Sequence, residues 1–195
     1  MSSPRLFVLS APSGSGKTTI AREILKRHPE IHFSVSATTR AKRGKEIDGI
    51  DYFFVDAEEF KRRIRDHELI EWEEIYGDYY GSPRSEVDNS FRDGKSVLFD
   101  IDVKGALAIK KQYPRDAVLI FIEPPSMEIL IRRLTDRKTE DEAKIRKRLE
   151  RTQMELEMGK EFEFHVLNDT LQTAVDNVDA IVRKMLTAGN PAVRV

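Results

Sequence analysis

The stretch Leu6-Phe7-Val8-Leu9-Ser10-Ala11-Pro12-Ser13-Gly14-Ser15-Gly16-Lys17-Thr18-Thr19 decides the fold of this chain. An apolar, strand-forming run is followed by a loop of small residues and then by a helical pattern, which is the order that a phosphate-binding loop requires. Gly14 and Gly16 let the backbone approach an anion, and the helix that follows adds the positive end of its dipole. We expect Lys17 to reach the β- and γ-phosphates of a nucleotide and the Thr18 hydroxyl to ligate Mg²⁺.

The loop departs from the pattern G-x-x-x-x-G-K-[ST] at one position, where this chain has Ala11 instead of glycine. Alanine is the smallest substitute, so the turn is retained if φ at this residue is negative. A plain Gly/Ser turn between a strand and a helix is the simpler interpretation, but such a turn requires neither Lys17 nor the threonine pair. We therefore predict a nucleotide-binding loop made by Ala11, Pro12, Ser13, Gly14, Ser15, Gly16, Lys17, Thr18 and Thr19.

The composition is that of an ordinary globular domain without a strong charge bias. The 195 residues contain 39% hydrophobic side chains, 33 Lys and Arg against 34 Asp and Glu, and no cysteine. The absence of cysteine excludes disulfides and thiolate metal sites, and a net charge of -1 gives no indication of a nucleic-acid partner. No apolar run reaches membrane-spanning length. We expect a soluble cytoplasmic protein that binds small molecules, with no nucleic acid or membrane as partner.

Strand-like runs alternate with helical patterns along most of the chain. Runs near residues 5–10, 96–101, 117–122 and 164–168 are each followed by helical periodicity, which is typical of an α/β protein with a parallel sheet and right-handed crossovers. Residues 35–90 break this rhythm with short strands and many polar aromatic residues. We interpret this region as an inserted lobe.

These observations predict one domain over residues 1–195 with three parts. Within the lobe, the segment 77–82 is predicted to be a turn that carries aromatic residues. The parts are a core at 4–34, 94–134 and 150–188, an inserted lobe at about 35–90, and a mobile lid at about 135–149.

A second candidate element is Phe99-Asp100-Ile101-Asp102, where an apolar run ends in two acids. A hydrophobic strand that delivers a carboxylate beside a phosphate loop is a common way of holding Mg²⁺. Asp102 shares a face with Asp100 if the strand continues. Two solvated acids at a strand end are the alternative, but the neighbouring phosphate loop favours a metal role.

The lobe contains polar residues that suit recognition of a nucleotide. Arg40 and Arg43 offer forked phosphate contacts, and Tyr52 and Tyr80 offer phenolic donors. Glu71 can accept two hydrogen bonds from adjacent N–H groups on one edge of a base, and guanine has such a pair whereas adenine does not. Ser36 and Ser82 could complete this recognition. None of these residues is specific alone, because a loop arginine is usually solvated and a tyrosine is usually half-buried.

A further basic element consists of Arg133 and Arg137, which share one face of a helix at i,i+4 spacing, and of Arg148. Two like charges at this spacing repel each other unless an anion neutralises them. The acidic residues that follow leave few side chains for a core, as in a mobile lid. The alternative is a surface helix in which Asp136 and Glu140 pair with the arginines.

Taken together, these residues resemble the guanylate kinase family of nucleoside monophosphate kinases, from about Arg5 to Met185. The loop before Glu46 and the lid depart from the family pattern at Lys45 and Lys138. The resemblance rests on Ser10 to Lys17, Ser34 to Arg43, Gly49 to Phe54, Phe60, Ile70-Glu71-Trp72, Tyr79 to Ser82, Asp100 to Gly105, Pro124-Pro125-Ser126, Arg133-Leu134-x-x-Arg137, Arg148-Leu149 and Asn168-Asp169.

The resemblance implies that the chain phosphorylates GMP, and dGMP as well, with Mg-ATP in purine nucleotide metabolism. It implies catalytic roles for Lys17, Arg40, Arg133, Arg137 and Arg148. It implies GMP binding by Ser36, Arg40, Arg43, Tyr52, Glu71, Tyr80, Ser82, Asp100 and Asp102. It places Asn168 near the adenine of ATP, and Thr18 with Asp100 at Mg²⁺, although which acid of the Asp100 and Asp102 pair serves the metal stays open.

Two alternatives accompany this interpretation. A guanylate-kinase-like module that binds phosphopeptides without catalysis keeps the fold but typically loses parts of the phosphate loop, whereas Lys17 and Thr18 are both present here. A kinase of the same fold that acts on another small phosphate is the second alternative, and Glu71 with Ser36 and Ser82 argues for guanine instead.

Overall fold

A parallel five-stranded sheet forms the centre of the molecule, with the strand order β2-β7-β1-β8-β9. The structure, a computed structural model, describes residues 3–126, 128–130 and 142–188. All four pairings in this sheet are parallel, as the alternation of strands and helices predicts. The strands are β1 (Leu6–Ser10), β2 (His32–Phe33), β7 (Val97–Asp100), β8 (Ala117–Glu123) and β9 (Phe164–Leu167).

The central strand β1 is buried at all of its positions because helices cover both faces of the sheet. Its odd-numbered side chains pack with one set of helices and its even-numbered side chains with another. Among the described residues, no helix is long and apolar enough to span a bilayer. The helices are α1 (Lys17–Arg27), α2 (Ala57–Arg65), α3 (Arg84–Arg92), α4 (Val103–Gln112), α5 (Glu142–Gly159) and α6 (Leu171–Thr187).

A second, mixed sheet lies within the predicted lobe, with the order β4-β3-β6-β5. The predicted turn at 77–82 is wrong, because Asp78–Pro83 forms a strand that pairs antiparallel with β5. The reversal is made instead by Tyr76 and Gly77, which have φ angles of 56° and 89°, as hairpin turns require. Its strands are β3 (Ala37–Thr38), β4 (Phe53–Phe54), β5 (Leu69–Ile75) and β6 (Asp78–Pro83).

The lobe sheet has a small core of its own, built on Phe60, Ala37 and Leu69. The ring of Tyr79 stacks on Phe60 at 5.4 Å between centroids, which explains why this aromatic segment pairs as a strand. All four strands fall inside residues 35–90, and the exact boundaries of core and lobe stay a prediction. Residues 135–141 of the predicted lid lie outside the described residues, and residues 142–149 belong to the first part of α5.

The strand β7 ends at Asp100 and does not continue to Asp102. The Asp102 carboxylate accepts hydrogen bonds from the backbone N–H groups of Lys104 at 2.8 Å and Gly105 at 3.1 Å, which makes it the N-cap of α4. The two acids therefore point to different neighbours, contrary to what one continuous strand would give. This divergence separates their roles in the site.

The contact of α5 with the central sheet gives a test of the packing. A Cβ atom at Gly159 would lie 2.5 Å from the ring of Phe121, so we expect Gly159→Ala to lower the free energy of unfolding by about 1–3 kcal/mol through overpacking. Urea unfolding measures this change. In the Phe121→Leu background the alanine has more room, so Gly159→Ala should lower the free energy of unfolding by less. An equal loss of unfolding free energy in both backgrounds would contradict this packing.

Candidate active site

A cleft of about 560 Å³ opens where the carboxyl end of the parallel sheet faces the lobe. Ligands of open α/β sheets bind at this edge. The cleft is lined by the phosphate-loop residues 11–19, by residues of the lobe, by the end of β7 and by one face of α5. Beyond the loop, polar and charged lining residues are Ser36, Arg43, Tyr52, Glu71, Tyr80, Asp100, Asp102, Arg148, Arg151 and Glu155.

The loop before α1 has the backbone that an anion site requires. Gly14 and Gly16 have φ angles of 89° and 85°, and Gly16 is the N-cap of α1, so the helix N-terminus opens into the cleft. Ala11 is not among the described non-glycine residues with positive φ, so the departure from the glycine pattern leaves the turn intact. The predicted strand, loop and helix are confirmed.

Asn168 supports this loop from outside the cleft. Its Nδ2 donates a hydrogen bond to the Ser15 carbonyl at 2.6 Å, and a Cβ atom at Gly16 would lie 2.7 Å from the same nitrogen. Asn168 is buried and does not line the cleft. Its predicted place near adenine therefore remains a prediction, and the contact that the structure gives is with the loop backbone.

Asp100 joins the two functional side chains of the loop. One carboxylate oxygen lies 2.8 Å from Lys17 Nζ, and the other accepts a hydrogen bond from Thr18 Oγ1 at 2.6 Å. Lys17 also donates to the Ile101 carbonyl. A hydroxyl and a carboxylate side by side are oxygen ligands of the kind that Mg²⁺ prefers. Of the two acids, Asp100 is therefore the one that fits a metal beside Thr18.

At the other end of the cleft, Glu71 is a buried acid with one hydrogen-bonded oxygen. Ser82 Oγ donates to Glu71 Oε1 at 2.6 Å, and the residue is only 6% exposed. Burial raises the pKa of Glu71 to about 8, and the hydrogen bond from Ser82 acts against this rise. Ser82 does not itself line the cleft and acts through Glu71, whereas Ser36 lines the cleft directly.

The absence of a side chain at Gly105 gives Glu71 its place. A Cβ atom at this position would lie 2.5 Å from Glu71 Oε2 and 3.0 Å from Glu71 Cδ. These distances are shorter than normal van der Waals separations. A larger residue at position 105 would therefore push the Glu71 carboxylate away from the first turn of α4. Gly105 belongs to the stretch that resembles the family, but its position in the sequence implies no role, because only the folded chain brings residues 71 and 105 together.

Asp102 lies beside Glu71 and next to a further acid, Glu73. Burial raises the pKa of Asp102 to about 6, and the neighbouring Glu73 carboxyl adds to this shift. The backbone N–H of Gly105 acts in the opposite direction. Asp102 therefore lies with Glu71 and Glu73 on the lobe side of the cleft, while Asp100 lies beside Lys17 and Thr18 of the loop.

The predicted phosphate-binding residues of the lobe differ in whether they line the cleft. Arg43, Tyr52 and Tyr80 line the cleft, whereas Arg40 does not. The Arg40 guanidinium makes a bidentate contact with Glu46, at 3.0 and 2.8 Å, and lies 5.2 Å from the centre of the Tyr52 ring. Arg40 is thus buried against the lobe and held by an acid close to the cleft wall.

Helix α5 contributes a polar face that the sequence analysis found only in part. Arg148, Arg151 and Glu155 all line the cleft, and their i, i+3, i+7 spacing is the signal that could have identified all three. The predicted catalytic residues Arg133 and Arg137 lie outside the described residues. Arg148 is therefore the one predicted lid arginine that the structure places.

A phosphate-binding loop at the edge of a parallel sheet, with an acid on the adjacent strand, defines a P-loop phosphotransferase fold. The chain belongs to the guanylate kinase family, because the sequence model of that family, described as guanylate kinase, matches residues 3–185.

Named relatives support this assignment over most of the chain. A guanylate kinase of Myxococcus xanthus (strain DK1622) is 48% identical over 91% of this chain and 85% of its own length. A guanylate kinase of Thermotoga maritima is 47% identical over 92% of this chain and 86% of its own length. The crystal structure of guanylate kinase from Anaplasma phagocytophilum has a TM-score of 0.81 at 34% identity, and the match covers 96% of this chain and 89% of that one.

The close approach of Gly105 to Glu71 makes a selective substitution available. We expect Gly105→Ala to weaken binding of a guanine nucleotide by about 10- to 100-fold, because the displaced carboxylate loses hydrogen bonds to the base, and to leave binding of an adenine nucleotide at the phosphate loop unchanged. Isothermal titration calorimetry measures both affinities. Lys111→Ala, an exposed change on the same helix, is the control, and a parallel loss of both affinities would contradict this role of Gly105.

Proposed function

We propose that this chain transfers the terminal phosphoryl group of ATP to GMP and forms ADP and GDP, as a step of purine nucleotide metabolism. The observation that carries the proposal is that one cleft holds both a phosphate-binding loop with Lys17, Thr18 and Asp100 and, at its other end, the buried acid Glu71. The first group suits a nucleoside triphosphate and the second suits guanine. Membership of the guanylate kinase family agrees with both.

Guanine is recognised by its adjacent N–H groups. The Glu71 carboxylate accepts from N1–H and the N2 amino group, while the hydrogen bond from Ser82 Oγ to Glu71 Oε1 holds the carboxylate in place. Ser36 and Asp102 also line the cleft and complete the contacts to the base edge. Adenine has no such pair of donors, so a buried Glu71 would remain unpaired against it, and this mismatch supplies the specificity.

The GMP phosphate is bound by Arg43, Tyr52 and Tyr80, which line the cleft, and by Arg40, which exchanges part of its contact with Glu46 for the phosphate. The second pKa of a phosphate monoester is about 6, so the attacking oxygen is already ionised at neutral pH. The reaction therefore requires no general base. Catalysis consists of positioning and of stabilising charge on the transferring group.

The ATP phosphates lie on the backbone N–H groups of the loop and at the N-terminus of α1. Lys17 leaves Asp100 to contact the β- and γ-phosphates, and Arg148 faces the transferring group. The family resemblance implies the same role for Arg133 and Arg137, which lie outside the described residues. Thr18 and Asp100 would hold Mg²⁺, which neutralises charge on the phosphates when bound. Asn168 keeps the loop in place and lies on the adenine side.

The alternative is a module that keeps the fold and binds phosphopeptides without catalysis. It is less well supported, because the three side chains that phosphoryl transfer would use, Lys17, Thr18 and Asp100, are all present and lie side by side at the phosphate loop. We further propose that dGMP is a substrate, since none of the base and phosphate contacts above involves the ribose 2′-hydroxyl.

The proposal is tested by coupled ADP release with Mg-ATP and, in parallel, GMP, dGMP, AMP, CMP and UMP. We expect turnover with GMP and dGMP alone, and a loss of about 100- to 1000-fold in kcat for Lys17→Ala, as for removal of one donor to a developing charge. Lys26→Ala, an exposed lysine at the far end of α1, is the control. A folded protein that binds GMP without turning over any nucleotide would support the binding module instead.

The raised pKa of Glu71 predicts that GMP binding is linked to proton release. Below its pKa of about 8 the acid is protonated, whereas guanine requires the carboxylate, so affinity should rise with pH. Between pH 7 and 8.5, where the phosphate is already ionised, a pKa of about 8 raises the ionised fraction of Glu71, and hence the affinity, about eightfold. Calorimetry in buffers of different ionisation enthalpy counts the released proton. Glu71→Gln should bind weakly and without this proton, and an unchanged proton count in that variant would contradict the assignment.

A further inference from the structure

Glu73 and Arg151 form an ion pair between the lobe and helix α5 that the catalytic scheme above does not use. The two terminal nitrogens of Arg151 donate to the two carboxylate oxygens of Glu73, each at 3.3 Å. The residues are 78 positions apart in the sequence. Their side chains are only 15% and 11% exposed, so this pair is shielded from solvent and from salt far more than a surface ion pair.

The third nitrogen of Arg151 ties the same guanidinium to Glu155. Arg151 Nε donates to Glu155 Oε1 at 2.8 Å, and Glu155 lies against the phosphate loop. Burial raises the pKa of Glu155, and Arg151, Lys17 and the backbone N–H of Ser13 act against that rise. One arginine therefore connects the lobe strand β5, the helix α5 and the surroundings of the phosphate loop.

The positions of Glu73 and Arg151 place this link between the two substrate sites. Glu73 follows Glu71 by two residues on β5, so both side chains project from one face of the strand. Arg151 follows Arg148 by three residues on α5, so both lie on the face of the helix that lines the cleft. The ion pair therefore connects the strand that carries Glu71 to the helix face that carries Arg148.

Other charges surround Glu73 without replacing Arg151. Lys104 of α4 lies 2.9 Å from Glu73, but its side chain is 51% exposed. Burial acts to raise the pKa of Glu73, yet Asp102, Lys104 and Arg151 together hold that pKa below its usual value. Glu73 is therefore an anion, and its shielded, bidentate partner is Arg151.

We propose that Arg151 is a positioning residue that acts through Glu73 and makes the binding of GMP and the binding of ATP reinforce each other. This inference rests on the proposed function. GMP fixes β5 through Glu71, Glu73 then holds Arg151, and Arg151 sets the orientation of α5 and of Arg148 over the phosphates. The same link works in reverse, because coupling between two sites is reciprocal.

The test measures binding rather than turnover. The affinity for an ATP analogue with a non-hydrolysable imido bridge is determined with and without saturating GMP, and the ratio of the two is the coupling factor. The variants are Glu73→Gln, which keeps the shape and removes the charge, and Arg151→Lys, which keeps the charge and removes the fork. Glu59→Gln is the matched control, since Glu59 pairs with Arg62 and Arg63 inside a single lobe helix.

We expect a coupling factor of about five or more in the parent protein, a factor below about two in Glu73→Gln and Arg151→Lys, and the parent value in Glu59→Gln. Affinities for each nucleotide alone should change by less than about twofold, while kcat falls. A merely structural ion pair would instead lower the melting temperature and leave the coupling factor unchanged, which would overturn the inference. A parent protein with no coupling would overturn it as well.

The two proposals fail in different ways. If the parent protein transfers phosphate to GMP and Glu73→Gln retains the full coupling factor, only the inference about Arg151 is lost. If the parent protein binds no GMP, the proposed function is lost. Arg151→Lys provides the same readout with the positive charge retained, so the test does not depend on Glu73→Gln folding well.

Discussion

The contact of Asp100 with both Lys17 and Thr18 is the interaction on which the site depends. It arises because β7 runs parallel to β1, with Asp100 in register with Leu9. The carboxylate at the end of β7 therefore lies beside the loop that follows β1. Neighbouring parallel strands deliver their carboxyl ends to one edge. The buried sheet therefore fixes the geometry of a charged group that no local sequence feature could hold in place.

At the opposite end of the cleft, the properties of Glu71 depend on burial rather than on an ion pair. Glu71 is withdrawn from water, is held by Ser82, and has room only because residue 105 is glycine. A buried acid without a counter-ion is unfavourable as a carboxylate. Under the proposed function, a base that donates two hydrogen bonds removes this penalty, so the burial that raises the pKa of Glu71 also accounts for the preference for guanine.

Local patterns were sufficient for much of the fold and for the phosphate loop. The parallel strands and the helix at Lys17 follow from hydrophobic periodicity, and the resemblance of the quoted motifs to the guanylate kinase family agrees with the family model. The segment 77–82 was predicted wrongly, because its glycine and polar aromatics suggest a turn, while pairing with β5 and stacking of Tyr79 on Phe60 make it a strand. Tertiary pairing outweighed local propensity there.

The sequence by itself determined the class of site, since the order of strand, small-residue loop and Lys-Thr is set by backbone conformation and the helix dipole, which are local properties. Only the tertiary structure decided which contacts each acid makes. Asp100 accepts a hydrogen bond from Thr18 of the neighbouring loop, whereas Asp102 caps the N-terminus of α4. The tertiary structure also decided that Arg151 meets Glu73. Such contacts depend on how distant elements pack, and the spacing of residues along the chain does not specify that packing.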